Sequence, residues 1–340
     1  MPKPKFPVLG LFAGVGGIEQ GFKNAGFPIA LANEIDPYAA KTYRLNHSHP
    51  IFEGSISELT VDRIKEYVKP AQIKIITGGF PCQPFSVAGH RLGFDDDRGN
   101  LFWEIHRLVR ELKPAVVLLE NVKNLQAHDE GRTFETIKNS LEGRVADPSG
   151  KYIDKGYVVD QIVLNAMDFG VPQNRERIFI VAFRDKDVAQ EFHWPKGRTA
   201  NRPVRPLSDF IDFEGSKETK YHYENNPIFE TLDAAMINTE TVYQWRRHYV
   251  RENKSGVCPT LTANMGMGGH NVPLVRTSNG IRKLTPQECF SLMGMPNLET
   301  PPELADSRLY KQAGNAVVVP VLEEIAHSIR IALDSTKNPG

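Results

Sequence analysis

The sequence predicts an α/β protein with a doubly wound, mostly parallel sheet and a second, smaller irregular domain. Three observations lead to this fold class. Apolar runs of strand length alternate with helical periods between residues 8 and 183, glycines cluster directly after the first run, and beyond about residue 188 the chain becomes rich in Pro, Asn, Thr and Gly. Alternating strands and helices are typical of the βαβ units that build a parallel sheet.

The first predicted unit is a strand, a tight turn and a helix. The apolar run 8–12 precedes glycines at positions 14, 16 and 17, and a helical period follows up to Gly26. The elements predicted after this unit are strands over 28–32, 73–77, 114–119, 157–164 and 177–183 and helices over 101–112, 286–293 and 317–333.

Bulk composition limits the class of protein. The 340 residues, 40% hydrophobic and 24% charged, suit a globular chain of one large or two ordinary domains. No apolar stretch approaches the ~18 residues of a membrane span, and residues 1–7 lack an apolar signal core, so we expect a cytoplasmic protein without a membrane partner. Three cysteines without a CxxC pair predict neither disulfides nor a metal site. The formal net charge of zero argues mildly against a nucleic-acid binder, which often has a basic excess.

The glycine turn predicts a nucleotide-like ligand. Gly14, Gly16 and Gly17 allow the backbone to turn sharply and approach a ligand closely. Glu34 lies 17 residues after Gly17, where a doubly wound fold places a carboxylate for ribose hydroxyls. The GxGG spacing differs from the GxGxxG of dinucleotide enzymes and favours another adenosine compound over NAD. A purely structural turn is the alternative.

Cys82 follows Pro81 at the carboxyl end of the predicted strand 73–77, so its thiol is expected in the crevice where α/β proteins bind ligands. The loop over 83–100 is polar and long enough to close over a substrate. The alternative is a buried small hydrophobic residue, which most free cysteines are. Cys258 and Cys289 have no such surroundings, and we expect both to be packing residues.

Two further groups could take part in chemistry. Glu120 ends an apolar strand, and a low-dielectric surrounding tends to raise the pKa of a carboxyl group until it can donate a proton near neutral pH. Arg175 and Arg177 lie two residues apart and so face one side of an extended segment, as suits phosphate or a base carbonyl. An acidic residue at a helix N-terminus and a surface salt-bridge pair are the respective alternatives.

In their order and spacing these motifs resemble the cytosine-5 DNA methyltransferase family of the bacterial restriction-modification type, over nearly the whole chain. The strongest match is the run Gly79-Phe80-Pro81-Cys82-Gln83-Pro84-Phe85-Ser86, which is similar to the family's catalytic motif at almost every position. The other matching segments are 12–17, 97–102, Glu120-Asn121-Val122, 173–177, 282–289 and 312–317.

The resemblance implies a catalytic role for each of the four candidate residues. Cys82 would add as a thiolate to C6 of cytosine, and Glu120 would bind or protonate N3. Arg175 and Arg177 would contact the base carbonyl and a nearby phosphate. Because C6 is inaccessible in a stacked duplex, the cytosine would be flipped out, with Ser86 a candidate to occupy the space it leaves.

The resemblance also implies S-adenosylmethionine as methyl donor, S-adenosylhomocysteine as product and a Rossmann-like methyltransferase fold. Two departures from the family pattern occur: Ser55 replaces the usual aspartate, so the tightness of cofactor binding is open, and Ala316 replaces the usual serine. The residues implied to bind the cofactor are Phe12, Gly14, Gly16, Glu34, Ile35, Ile56, Pro81, Leu101, Asn315 and Val317.

The implied division assigns residues 1–185 and 307–340 to a catalytic domain and 186–306 to a target-recognition domain, whose variable part spans 186–281. A basic and aromatic cluster lies in that part, and its arginine and glutamine side chains suit base edges in the major groove. A solvated surface with a few stacking contacts is the alternative. The residues implied to contact DNA are Ser86, Gln244, Arg246, Arg247, Arg251 and Thr260. The region is also similar to domains that recognise short GC-rich sites beginning CC.

We therefore expect double-stranded DNA as partner, a cognate restriction endonuclease that acts separately, and a monomer. Three other classes of protein are the alternatives. An NAD-dependent oxidoreductase requires GxGxxG and has no use for Pro81-Cys82. A catalytically silent relative would lack Cys82 or Glu120. A transfer RNA cytosine methyltransferase is closer; the long variable region with its arginines favours DNA, and sequence alone leaves the RNA alternative open.

Overall fold

The computed structural model describes residues 6–80, 101–197, 205–265 and 273–336. Its strands are β1 (Val8–Leu11), β2 (Ile29–Glu34), β3 (Ile51–Glu53), β4 (Ile75–Gly79), β5 (Val116–Val122), β6 (Val158–Asn165), β7 (Gln173–Asn174), β8 (Glu176–Phe183), β9 (Tyr243–Trp245), β10 (Val250–Glu252), β11 (Cys258–Pro259), β12 (Pro273–Thr277) and β13 (Gly280–Lys283). Its α-helices are α1 (Gly17–Asn24), α2 (Pro37–Asn46), α3 (Val61–Lys65), α4 (Leu101–Leu112), α5 (Arg132–Leu141), α6 (Lys186–Glu191), α7 (Phe229–Ala235), α8 (Pro286–Ser291), α9 (Asp306–Asn315) and α10 (Val319–Ser335).

The central sheet has seven strands in the order β3-β2-β1-β4-β5-β8-β6. The first five are parallel, whereas β8 runs antiparallel to both of its neighbours. The chain builds outward from β1 to β3 and then crosses to β4 on the other side of β1, so the strand order switches between β1 and β4. This arrangement confirms the predicted doubly wound, mostly parallel sheet, and ligands of such sheets bind at this switch.

Successive residues of each central strand point to opposite faces, and each face has its own core. Val8 and Val116 belong to one apolar cluster, which also contains α1 and α10, while Leu9 and Val117 belong to the other, with α4 and α5. Helix α10 packs closely on α1, because a Cβ added at Gly21 would lie 2.6 Å from Leu322 Cβ. The C-terminal helix therefore completes the layer that begins next to the glycine turn.

A smaller antiparallel sheet has the order β10-β9-β12-β13 and a separate apolar cluster that includes Tyr243 and Leu274. Strand β11 leaves this region to pair in parallel with β7, where Cys258 lies opposite Gln173. Cys258 and Cys289 are both fully buried within the cluster on one face of the central sheet. Burial raises the pKa of both thiols, which agrees with the packing role predicted for them.

A buried ion pair joins the small sheet to helix α8. Arg282 is fully buried and donates to both carboxylate oxygens of Glu288, each at 2.8 Å. Glu288 also accepts from the backbone N–H of Asp212 and of Thr285, and Thr285 caps α8. One carboxylate thus fixes the start of α8 to β13 and to Asp212, which lies 76 residues away in sequence.

Within the ranges that the structure describes, no helix is both long and apolar enough to cross a membrane. The same residues contain no cluster of three or more His, Cys, Asp or Glu side chains arranged to hold a metal ion.

Candidate active site

A cavity of about 400 Å³ lies at the carboxyl ends of the central strands, beside the switch between β1 and β4. Nine of the residues predicted to bind cofactor or to act in catalysis contribute to its wall, although they come from five separate stretches of chain. They are Phe12, Gly14, Glu34, Ile35, Glu120, Arg175, Arg177, Asn315 and Val317.

The glycine turn forms one side of the cavity with an unusual backbone. Phe12, Gly14 and Gly16 have φ angles of 54°, 57° and 91°, in the left-handed region that glycine adopts readily and phenylalanine rarely does. Strain of this kind persists only where surrounding structure enforces it, and it concentrates at ligand sites. At Gly17, an added Cβ would lie 2.8 Å from the backbone oxygen of Val317, so the turn and the C-terminal segment are in direct contact.

Glu34 connects this turn to the end of β2. One of its oxygens accepts from the backbone N–H of Gly14 at 2.7 Å, and the other accepts from Ile35 and Asp36 at 2.9 and 2.8 Å. Burial raises the pKa of Glu34, and the three N–H groups oppose this effect. A carboxylate has about four acceptor positions, so one remains for a ligand hydroxyl.

Glu120 is a buried titratable group in the cavity wall, near the end of β5. Burial raises the pKa of its carboxyl group, and the neighbouring Arg177 and Arg175 oppose this. The Nε of Arg177 lies 3.0 Å from one Glu120 oxygen. The other oxygen faces Gly79, where an added Cβ would lie only 3.0 Å away. The absence of a side chain at Gly79 therefore leaves open space beside that oxygen.

The next residue, Asn121, holds the end of β4. Its side-chain N–H donates to the backbone oxygen of Phe80 at 2.8 Å, and its side-chain oxygen accepts from Val122 N–H at 2.8 Å. Two residues beyond Phe80 the sequence reaches Cys82. Pro81, Cys82 and Ser86, three of the predicted site residues, lie outside the described residues.

Arg175 and Arg177 both line the cavity but differ in their partners. Arg177 contacts Glu120, whereas Arg175 is 3% exposed and directs both terminal nitrogens to backbone carbonyls. Burial and the neighbouring Arg177 together lower the pKa of Arg175 to about 9, against the opposing effect of Glu120, which leaves the guanidinium charged at neutral pH.

Three described residues predicted to bind cofactor do not line the cavity. Gly16 caps α1 and lies against the ring of His47, where an added Cβ would be 2.0 Å from Nε2. Ile56 and Leu101 pack in the core on the α4 face of the sheet. Ser55, which stands where the family has an aspartate, contacts Ser57 through its hydroxyl at 2.7 Å.

Four of the residues predicted to contact DNA, namely Gln244, Arg246, Arg247 and Arg251, lie on a separate hairpin formed by β9 and β10. Arg247 and Arg251 are exposed, and Arg247 has a φ of 59° at the tip. Gln244 is 4% exposed, and its side-chain oxygen accepts from Arg246 Nη2 at 2.9 Å. Thr260 lies elsewhere, on the segment that follows β11, and donates from its hydroxyl to Asn174 O at 2.6 Å.

The cavity wall also contains residues outside the candidate set drawn from sequence, among them the polar Asp36, Lys311 and Gln312. Asp36 caps α2 through its side chain and pairs with Lys311 Nζ at 3.2 Å, which lowers the pKa of Asp36 relative to its ordinary value despite partial burial. An acidic residue before Pro37 is a helix-start signal that the sequence did contain. The pairing with Lys311, 275 residues away, had no local signal.

Comparison with known proteins identifies the family. The family described as C-5 cytosine-specific DNA methylase matches residues 6–330. Type II methyltransferase M.Bsp6I of Bacillus sp. (strain RFL6) is 46% identical over 327 residues, which cover 95% of this chain and 98% of that protein. Type II methyltransferase M.NlaX of Neisseria lactamica is 34% identical, covering 98% and 99% of the two chains.

Among solved structures, the methyltransferase Dnmt2 of S. pombe superposes with a TM-score of 0.70 at 21% identity, covering 97% of this chain and 98% of that one. At that identity the likeness supports the fold. With a buried carboxyl group, paired arginines and a glycine turn around one cavity, and with the family matched from residue 6 to 330, the chain belongs to the C-5 cytosine-specific DNA methylases and is a DNA (cytosine-5) methyltransferase.

Proposed function

We propose that this chain transfers a methyl group from S-adenosylmethionine to C5 of a cytosine flipped out of duplex DNA, with Cys82 bound transiently to C6. The observation that carries this proposal is the Glu120–Arg177 pair in the cavity wall, beside the strand end that leads to Cys82. A buried carboxyl group with a raised pKa can keep its proton near neutral pH and donate it to a ring nitrogen.

The cavity suits S-adenosylmethionine in size and in chemistry. Its volume of about 400 Å³ is within the range of small-molecule sites. The carboxylates of Glu34 and Asp36 suit ribose hydroxyls, and the side chains of Phe12 and Ile35, the latter 65% exposed, suit the faces of an adenine ring. When bound, S-adenosylmethionine supplies an electrophilic methyl group.

The protein's residues activate the cytosine. The Cys82 thiolate adds to C6, and the electron pair displaced by this bond moves into the ring, where Glu120 neutralises the developing charge by protonating N3. Arg177 holds the Glu120 carboxyl group in orientation from one side, and the open space beside Gly79 admits the base edge from the other. C5 is now nucleophilic and accepts the methyl group. Loss of the C5 proton to a base then breaks the S–C6 bond and returns the thiolate, and N3 gives its proton back to Glu120.

Base recognition is proposed for the β9–β10 hairpin. The hairpin belongs to a proposed target-recognition domain of residues 186–306, and the proposed catalytic domain comprises residues 1–185 and 307–340. The exposed Arg247 and Arg251 suit phosphates or guanine edges. The contact with Gln244 orients the Arg246 guanidinium before DNA binds. Residues 284–298 include side chains buried in the core of the central sheet, so this part of the proposed domain packs directly on the catalytic one.

The restriction-modification setting is likewise a proposal. It rests on the two relatives named above, which are type II methyltransferases. A separate cognate endonuclease would then cut the same site where it lacks methylation. A monomer suffices, since each reaction modifies one base, and a short GC-rich site beginning CC stays the working hypothesis for the target.

The decisive experiment combines labelled S-adenosylmethionine with bisulfite sequencing. The purified protein should label duplex DNA, and DNA from an expressing host should show protected cytosines within one shared motif. Cys82→Ala should abolish labelling, while the matched variant Cys258→Ala, which removes a buried packing thiol, should retain it. Labelling of transfer RNA in place of DNA would overturn the substrate, and near-parental activity of Cys82→Ala would overturn the mechanism.

A further inference from the structure

Arg175 connects the segment around Thr260, which is predicted to contact DNA, with the segment around Asn315 and Val317, which is predicted to bind cofactor. We call residues 258–263 the docking segment, because it leads from the small sheet to the central one, and residues 314–317 the cofactor segment. The Nη1 of Arg175 donates to Leu261 O in the docking segment at 2.7 Å. Its Nη2 donates to Gly314 O and Ala316 O in the cofactor segment at 3.0 and 2.8 Å.

The two segments also contact each other directly. A Cβ added at Gly314 would lie 2.2 Å from the backbone carbon of Thr262, so only glycine permits this approach. The cofactor segment in turn contacts the glycine turn, through Val317 O and Gly17. A continuous path of backbone contacts therefore leads from the docking segment to the wall of the cavity.

The docking segment is held from its other side by the residues around Arg175. Cys258 pairs with Gln173 in a parallel ladder, and the Gln173 side-chain oxygen accepts from Leu261 N–H at 3.1 Å. No residue of the docking segment lines the cavity itself. The described contacts between this segment and residues of the cavity wall are made by Arg175 and by Gly314 of the cofactor segment.

We propose that Arg175 is a positioning residue that couples the binding of S-adenosylmethionine to the binding of DNA. This inference rests on the proposed function. A ligand that orders the cofactor segment fixes the Gly314 and Ala316 carbonyls, orients the guanidinium and so orders Leu261 and its neighbours for DNA. By linkage, DNA strengthens cofactor binding by the same factor. A planar guanidinium bonded to three carbonyls has a fixed geometry that an ammonium cannot reproduce.

The first test measures the coupling factor, which is the ratio of the Kd of S-adenosylhomocysteine without and with duplex DNA carrying the methylation site. Couplings in proteins are typically about 5- to 150-fold. In Arg175→Lys the factor should fall close to one, while the Kd of S-adenosylhomocysteine alone changes about threefold or less. Arg177→Lys, which alters the other cavity guanidinium, should retain the parental factor and lose turnover. A parental factor in Arg175→Lys overturns the proposal.

A second test uses the unaltered protein and so does not depend on how a variant folds. S-adenosylhomocysteine added without DNA should slow hydrogen exchange at amides of the docking segment, Leu261 N–H among them, by about tenfold. Binding without any change of exchange there overturns the coupling and leaves the proposed function standing. Failure of S-adenosylhomocysteine to bind at all instead overturns the cofactor assignment.

Discussion

The cavity of the central sheet and the hairpin of the small sheet place their charged groups in opposite surroundings. In the cavity, Glu120 and Arg175 are buried and already have partners before any substrate arrives. On the hairpin, Arg247 and Arg251 are exposed, and Arg247 has a left-handed backbone at the tip.

This difference follows from what each region has to do. Stabilising charge in a reacting ring requires groups fixed in a low-dielectric site, since such groups need no reorganisation during the reaction. Contact with DNA requires side chains that stay hydrated until DNA binds. Their contacts with phosphates position the protein, so these side chains need no partner within the protein beforehand. Mutations in the cavity are therefore expected to change kcat, and mutations in the hairpin to change the affinity for DNA.

The largest expected effect is at Glu120. In Glu120→Gln the side chain keeps its size but cannot transfer a proton, so kcat should fall about 10²- to 10⁴-fold with little change in the Kd for DNA. Steady-state kinetics with labelled S-adenosylmethionine measures both. The matched variant is Glu176→Gln, which removes a carboxylate that pairs with Lys123 and is 43% exposed; it should keep parental kcat. Equal losses in the two variants would contradict the role of Glu120.

The next effect concerns the joint between the two regions. Arg282→Met leaves Glu288 charged and unpaired in the core, which should cost about 3–5 kcal/mol of unfolding free energy. Lys217→Met breaks an exposed pair with Asp212 at 2.6 Å and should cost less than about 1 kcal/mol. Urea unfolding measures both, and similar losses would show that the buried pair is not what fixes α8 to the small sheet.

The fold could be predicted largely because its elements are locally encoded. The helix predicted over 101–112 has those bounds, and the predicted strand 177–183 lies within β8. The antiparallel insertion of β8 between β5 and β6 has no local signal in the sequence, because the relative direction of a strand depends on which strands it pairs with. Helix α7 was missed inside a segment rich in polar and turn-forming residues, where packing of Leu232 against Tyr243 decides the conformation.

The candidate site could be predicted from the sequence to about the same extent as the fold. Glu34 and Glu120 end strands, and strand ends of a parallel sheet meet at one edge, so position alone brought them together. The partners of Arg175 could not be predicted, since they are backbone carbonyls up to 141 residues away, to which any residue type contributes equally. The sequence identifies side chains that can take part in a reaction, whereas the backbone groups that orient them often leave no signal in the sequence.

A smaller effect, on pH dependence, should come from Glu19 beneath the glycine turn. Glu19 is fully buried, neither carboxyl oxygen has a partner among the residues described, and burial raises its pKa to about 8. The folded protein then holds a proton that the unfolded chain has released, so stability falls as pH rises from 4.5 towards 8, by at most about 1.4 kcal/mol per unit.

Glu19→Gln should remove about 2 kcal/mol of the difference in unfolding free energy between pH 6 and pH 8. Urea unfolding at the two pH values measures it. The exposed residue Glu130, whose side chain is 84% accessible, provides the control, and Glu130→Gln should keep the parental pH dependence. An unchanged slope in Glu19→Gln would mean that the buried carboxyl group is charged in the folded state.

The smallest expected effect distinguishes the hairpin from the cavity most directly. Arg247→Gly relieves a left-handed backbone, so the unfolding free energy should rise by about 1 kcal/mol or less, while one cationic contact to DNA is lost. If that contact is with a phosphate, affinity falls similarly for all sequences and the slope of log K against log salt decreases by about one. Fluorescence anisotropy over a salt series measures the slope, with kcat at saturating DNA unchanged. A lower kcat with an unchanged slope would show that Arg247 acts on turnover, as the cavity residues do. It would contradict the view that the cavity determines the rate and the hairpin the affinity for DNA.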